Sequence, residues 1–365
     1  MGDIFTPWRL GGLALQNRLV RSATYEGLAE PDGTPKIELA NLLGDLAEGG
    51  VGLIITGYAY VRSDGLGLPN QTGVYIDAQV GPLARVSDAV HRCGGKVALQ
   101  IVHAGGQSKP EWHAGHQLIG PSAIVHPAFG APIAAMSKDQ IADVIDCFGR
   151  AAARAKAAGF DGVQLHGAHG YLINQFLSPN TNLRDDEYGG DIDGRARFCL
   201  EAYQAARQAV GPDYPVFIKL SSHDAMEGGL VLEDALHVAR RLDAMGVDAI
   251  EASGGVIAAG KNSPSRLVKG PEQEGYFLAE AKAIKAAVKC PVISVGGWRT
   301  RPRIEQALDA IDAVAICRPL VRQPDLPRRW AQGSEESPTC VSCGKCIGVA
   351  MRQGLACALD LAKED

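Results

Sequence analysis

Eight short β-rich runs, at 19–23, 51–56, 96–102, 162–166, 216–220, 249–252, 292–295 and 313–317, recur along the chain with helical patterns between them. Each run is nearly continuous in apolar residues rather than alternating, as parallel strands covered on both faces require. Helical periodicity fills 37–48, 138–158, 195–210, 232–245 and 278–288. Gly49, Gly50, Gly159, Gly211 and Gly246 follow these stretches, where a left-handed residue closes a helix. Eight βα units predict a closed (β/α)8 TIM barrel over 1–331, with a short cysteine-containing tail over 332–365. An open doubly wound sheet needs G-x-G-x-x-G after an early strand; Gly50-Val51-Gly52 comes nearest, but Ile55 replaces the third glycine.

Composition narrows the ligand. With 46% hydrophobic residues in 365 the chain can bury a large core, and a net charge of −5 argues against nucleic acid or a membrane surface. No apolar run is long enough to span a bilayer, and the N-terminus lacks a signal peptide's apolar region. Met1-Gly2 through Thr6 fits a short acylation pattern, and Asn70-Gln71-Thr72 a glycosylation sequon, but both look accidental. Five of the nine cysteines are scattered, and a thiol-rich chain without a secretory signal is expected in a reducing cytoplasm.

Barrel enzymes build their sites from residues at the carboxyl ends of the strands. Those positions here offer Thr24, Tyr25, Tyr58, Gln100, His103, His166, His169, Tyr171, Lys219, Ser253, Gly296, Gly297, Cys317 and Arg318. They are donors and cations with no convergent carboxylate. Gly296-Gly297 can make a tight turn, but with Arg318 after the eighth strand they match the phosphate position of such barrels. His166 and His169 have three readings. A metal site lacks the helical spacing and a carboxylate, and core histidines satisfied by backbone are a second option. The third is a pair of neutral donors that polarise a carbonyl or phenolate oxygen, with Tyr171 as proton donor near its ordinary pKa of about 10. Lys219 fits either a Schiff-base nucleophile or a fixed cation, and Gln100 suits a heterocyclic amide. Together they describe a pocket for a flat, phosphorylated ring system such as FMN.

The segments NRLVRSAT (17–24), LQIVHAGGQS (99–108), GFDGVQLHGAHGYLINQFLSPNTNLRDDEYGG (159–190), PVFIKLSS (215–222), VISVGG (292–297) and AICRPLVRQPDL (315–326) carry a resemblance. In these the chain resembles the Old Yellow Enzyme family of FMN-dependent ene-reductases, also called the NADH:flavin oxidoreductase family. The resemblance implies that Gln100 binds the pyrimidine edge of FMN and Lys219 sits near N1. It implies further that Ala23, Thr24 and Tyr58 contact the ring, and that Gly296, Gly297, Cys317 and Arg318 hold the phosphate. His166 and His169 would bind the substrate's electron-withdrawing oxygen, and Tyr171 would protonate Cα. The implied activity is reduction of enones, enals or enoyl thioesters with NAD(P)H as reductant. Tyr25 departs from the pattern, standing where many relatives carry Cys, Thr or His.

Cys340, Cys343, Cys346 and Cys357 resemble the cysteine segment of the 2,4-dienoyl-CoA reductase and trimethylamine dehydrogenase branch, which binds a [4Fe–4S] cluster. Two gaps are one residue shorter than in that branch, so a cluster, zinc and a remnant all stay open. The sequence stops at Asp365, ahead of that branch's nucleotide-binding module, so a cluster here implies a separate electron-transfer partner. A homo-oligomer is compatible with the sequence. The alternatives to the ene-reductase are an amine dehydrogenase or demethylase, and a non-catalytic flavin or electron-transfer subunit.

Overall fold

The computed structural model describes residues 2–113 and 115–362. Met1, on which the acylation pattern depends, and residues 363–365 of the tail lie outside the described residues. Strands β1 (Leu19–Arg21), β2 (Leu53–Ile55), β3 (Val97–Val102), β4 (Gly162–Gly167), β5 (Val216–Ser221), β6 (Ile250–Ser253), β7 (Val292–Ser294) and β8 (Ala313–Ile316) are all parallel. They pair in sequence order, and β8 returns to β1, closing the (β/α)8 barrel. Every predicted strand is present, with its ends trimmed, extended or shifted by one or two residues.

The apolar runs explain the closure. Val20, Leu53, Ile55, Ala98, Phe217, Ile293, Ala313 and Ala315 form an inner cluster, while their strand neighbours such as Leu19, Ile54, Val163 and Ile218 face the helices. Each fully buried aliphatic side chain contributes about 1.5–3 kcal/mol relative to exposure. An antiparallel hairpin, Trp8–Leu10 with Leu13–Leu15, packs Leu10 and Leu15 onto the inner cluster.

Helices α1 (Ile37–Glu48), α2 (Val80–Arg92), α3 (Lys138–Ala157), α4 (Ile192–Val210), α5 (Leu232–Ala244), α6 (Leu278–Ala287) and α7 (Arg301–Ala307) form the outer ring. α3 starts at a capping box in which Ser137 and Gln140 bond each other's backbone amides. Helix-to-strand returns use left-handed glycines, with Gly50 at φ +86° and Gly159 at +81°.

Two segments build up the rim. Short strands Ile119–Gly120, Ile124–Val125 and Pro132–Ala135 make a small sheet after β3. The tail folds back over the barrel, its helix Cys346–Gln353 placing Ala350 against a cluster that holds Tyr25, Tyr58 and Tyr171. A side chain at Gly27, where φ is +64°, would run into the carbonyl of Ala350. Arg322 pins the tail's far end through a forked contact to Asp360 at 2.6 and 2.9 Å. No helix among the described residues is long and apolar enough to cross a membrane.

Candidate active site

β4 ends in the residues the sequence singles out. His166 is 2% exposed, and its Nδ1 accepts the Ala168 amide at 3.3 Å, which leaves the proton on Nε2. The chain then turns through His169, whose φ of +65° is unusual for a side-chain-bearing residue, and Gly170 at +86°. His169 is held at three points. Its amide donates to Ser221 Oγ at 3.3 Å, its carbonyl accepts from Gln107 Nε2 at 3.1 Å, and its Nε2 lies 2.7 Å from Ser253 Oγ. The two imidazoles meet edge to face at 5.0 Å, and Tyr171 lies 4.7 Å from His166.

Burial fixes the protonation of this trio. It holds both histidines well below the usual imidazole range, with Lys219 adding to the effect on each, so both are neutral donors. Burial also pushes the Tyr171 hydroxyl up to about 12, although a hydrogen bond from Tyr58 works the other way. The expectation of an ordinary tyrosine pKa is thus corrected. Desolvation makes Tyr171 a weaker acid that stays protonated at neutral pH.

Beneath the trio lies a buried polar chain. Lys219, in register with His166 on one side and Glu251 on the other, donates to Ser22 Oγ at 2.9 Å and pairs with Glu251 at 3.3 Å. Ser22 donates to Glu251 at 2.7 Å, Gln164 donates to it at 2.8 Å, and Gln100 donates to Gln164 at 2.6 Å. No Asp or Glu lines the cavity at the strand ends, but one lies beneath it. Glu251 comes from within β6 and is fully buried. An acidic residue inside an otherwise apolar strand was the available signal. Burying it without a partner is prohibitive, so it marks an inward-facing ion pair.

The far end of the site belongs to β7, β8 and the loop before α6. Gly297 has φ +72°, and a Cβ there would lie 2.6 Å from both Tyr276 and Val268. The Gly296 and Gly297 amides find no acceptor among the described residues. Arg318 spans the gap to the tail, donating to the carbonyls of Arg266 (2.8 Å) and Ser342 (3.0 Å). Cys317 Sγ lies 2.7 Å from Thr24 Oγ1. Arg266, which the sequence reading passes over, stacks on Tyr276 and Phe277 at 4.9 Å.

A cavity of about 550 Å³ joins these parts. Ala23, Thr24, Tyr58, His166, His169, Tyr171, Lys219, Gly297, Cys317 and Arg318 all line it; Gln100, fully buried, and Gly296 do not. The tail adds walls that the sequence reading does not supply: Ser342, Gly344, Cys346, Ile347 and Leu355.

The site fits FMN on its own chemistry. Gln100 Oε1 is a buried acceptor without a donor among the described residues, suited to a ring N–H. Lys219 offers a cation, and the glycine turn with Arg318 offers amides and a guanidinium for a phosphate. The tail cysteines behave differently. Among the described residues no group of three or more His, Cys, Asp or Glu side chains is gathered as a metal site. Cys340, Cys343, Cys346 and Cys357 are partly buried free thiols, and burial pushes Cys340 upward and Cys346 up to about 11. Cys346 lines the cavity, and the other three tail cysteines do not.

Residues 3–337 match the NADH:flavin oxidoreductase / NADH oxidase family, and the chain belongs to that family. It is 36% identical over 359 residues to an NADH oxidase from Thermoanaerobacter brockii, an alignment covering 97% of this chain and 54% of that protein. The chain thus spans about half the length of that relative. Among solved structures, 2-naphthoyl-CoA reductase with 2-naphthoyl-CoA superposes with a TM-score of 0.89 at 27% identity, over 94% of this chain and 54% of that one. Morphinone reductase in complex with tetrahydroNAD superposes at 0.78 with 29% identity, over 93% of each chain.

Proposed function

We propose that the chain is an FMN-dependent reductase of activated C=C bonds, in enones, enals or enoyl thioesters, with NAD(P)H as reductant. The observation that carries this reading is the neutral His166/His169 pair beside a protonated Tyr171. Such a pair grips an electron-poor oxygen and stabilises charge as it develops there, an effect worth about 10²–10³ in rate per well-placed donor. The names of the two structural neighbours, a naphthoyl-CoA reductase and a morphinone reductase, support a reductase.

Gln100, Lys219, Thr24, Gly296, Gly297 and Arg318 would hold the FMN, with Ala23, Tyr58 and Cys317 around it. Bound there, FMN would supply the hydride-level, two-electron redox chemistry that links NAD(P)H to the acceptor's C=C bond. The side chains do the rest. His166 donates from Nε2 and His169 from its ring to the acceptor oxygen, which draws electrons away from Cβ. Tyr171 releases its hydroxyl proton to Cα, and Tyr58 donates to the phenolate left behind. Glu251 and Ser22 hold the Lys219 ammonium in place without exposing it to water.

Anaerobic reduction by NADH or NADPH followed by mixing with 2-cyclohexenone tests the proposal. The visible flavin band bleaches with the nucleotide and returns with the enone. A bleached protein that no enone reoxidises, or a flavin that amines reduce while NADH and NADPH do not, would refute it.

A further inference from the structure

The catalytic cavity has a neighbour of about 320 Å³, and the two share a single lining residue, Gln107. His169 faces the catalytic cavity and Gly170 the second; Ile257 faces the first, while Val256 and Ala258 face the second. Gln107 itself is 4% exposed and tied at both amide atoms. Nε2 donates to the His169 carbonyl at 3.1 Å, and Oε1 accepts from His126 Nε2 at 2.9 Å. His126 is locked as the donor, because its Nδ1 accepts the amides of Ala128 and Phe129 at 3.1 and 3.2 Å and its ring stacks on Phe129 at 4.6 Å.

The second cavity has its own chemistry. Ile124, Ile133, Val256 and Ala258 give it an apolar wall, and Val125, 64% exposed, stands at its rim. Asn174 and Ser178 are already spent on Asp224. The charged lining groups are carboxylates, Asp224 and Glu227, so the space repels phosphates and carboxylates and suits an uncharged alkyl or aryl group.

We propose that Gln107 is a specificity-determining residue that sets the length limit of the acceptor. It closes the catalytic cavity toward the second one, and that second cavity takes an apolar extension of the acceptor once the Gln107 side chain is removed. The inference rests on the ene-reductase reading, since it needs a ligand whose oxygen sits on the His166/His169 pair.

The test is calorimetric binding to the flavin-loaded protein of phenol and of phenols carrying a hexyl chain at the 2-, 3- or 4-position. In the wild type no hexylphenol binds tighter than phenol. In Gln107→Ala the tightest hexylphenol gains about tenfold or more relative to phenol, since burying two further methylene groups already reaches that factor. Gln107→Met, which keeps the volume but loses both hydrogen bonds, keeps the wild-type ratio, and adding Ala258→Trp to Gln107→Ala restores it. Should Gln107→Ala fail to fold, the shorter amide in Gln107→Asn gives the same shift at smaller amplitude. A ratio that does not change in Gln107→Ala, or that changes equally in Gln107→Met, overturns the proposal alone. Wild-type protein that binds no phenol at all overturns the ene-reductase reading and the length limit with it.

Discussion

Replacing Glu251 by Gln isolates what the buried carboxylate does. Glu251 is fully buried and Lys219 is 2% exposed, with 3.3 Å between their charged atoms. At that separation and an effective dielectric of about 20, the gross attraction is about 5 kcal/mol. The amide keeps the Ser22 hydrogen bond, sets its NH2 against the Gln164 amide donor, and leaves the ammonium without its counter-charge. Removing one partner of a buried pair costs about 3–5 kcal/mol. For a chain of this size that lowers the melting temperature by about 4–7 °C, read by differential scanning calorimetry with flavin content recorded alongside. The double variant Glu251→Gln/Lys219→Met removes both charges and recovers to within about 1.5 kcal/mol of the wild type. A single variant within about 1 kcal/mol of wild type, or a double variant as unstable as the two singles summed, would show that the pair is not coupled as its geometry demands.

Tyr171→Phe slows enone reduction by about 10²–10⁴ while leaving flavin reduction by NAD(P)H unchanged in stopped-flow traces, and equal slowing of both half-reactions rules out a proton-donor role. Because burial raises the Tyr171 pKa to about 12, the enone half-reaction stays flat from about pH 7 to 10 and declines only as pH climbs toward that value; a midpoint near the ordinary tyrosine value of about 10 contradicts this. His166→Ala weakens transition-state stabilisation by about 2–4 kcal/mol, visible as a matching fall in kcat/KM for cyclohexenone. Burial lowers the His126 pKa to about 4, so the unfolded chain binds the extra proton first as pH falls below its ordinary value of about 6.5. Stability therefore declines from about pH 6.5 toward 4, and His126→Gln removes that part of the slope in urea titrations at stepped pH.

The barrel was legible because each strand is apolar on both faces, and that pattern survives without knowledge of neighbours. Runs such as 162–166 and 216–220 mark strands whatever packs against them. His166, His169 and Tyr171 were legible for a related reason, since polar groups closing an apolar strand have few structural uses. Glu251 was missed because its meaning lies in register: only the pairing of β5 with β6 sets it opposite Lys219. Helix α2 was passed over although Leu83, Val86 and Val90 face the core at helical spacing. The tail's place was illegible for a different reason. Cysteine spacing suggests a ligand set and says nothing of Cys346 lining the cavity, which only the folded chain shows.

The tail's place over the barrel mouth has a consequence for biosynthesis. The cavity takes part of its wall from Ser22 to Tyr25, made before the second strand, and part from Gly344 to Leu355, made only after the eighth. Domains fold as units while the chain is still being extended, amino end first. A nascent chain can therefore complete the eight-stranded cylinder while its site still lacks a wall. Cofactor capture in a finished pocket then waits for the tail to be made and docked, and an intermediate that lacks the tail holds flavin more loosely than one that has it.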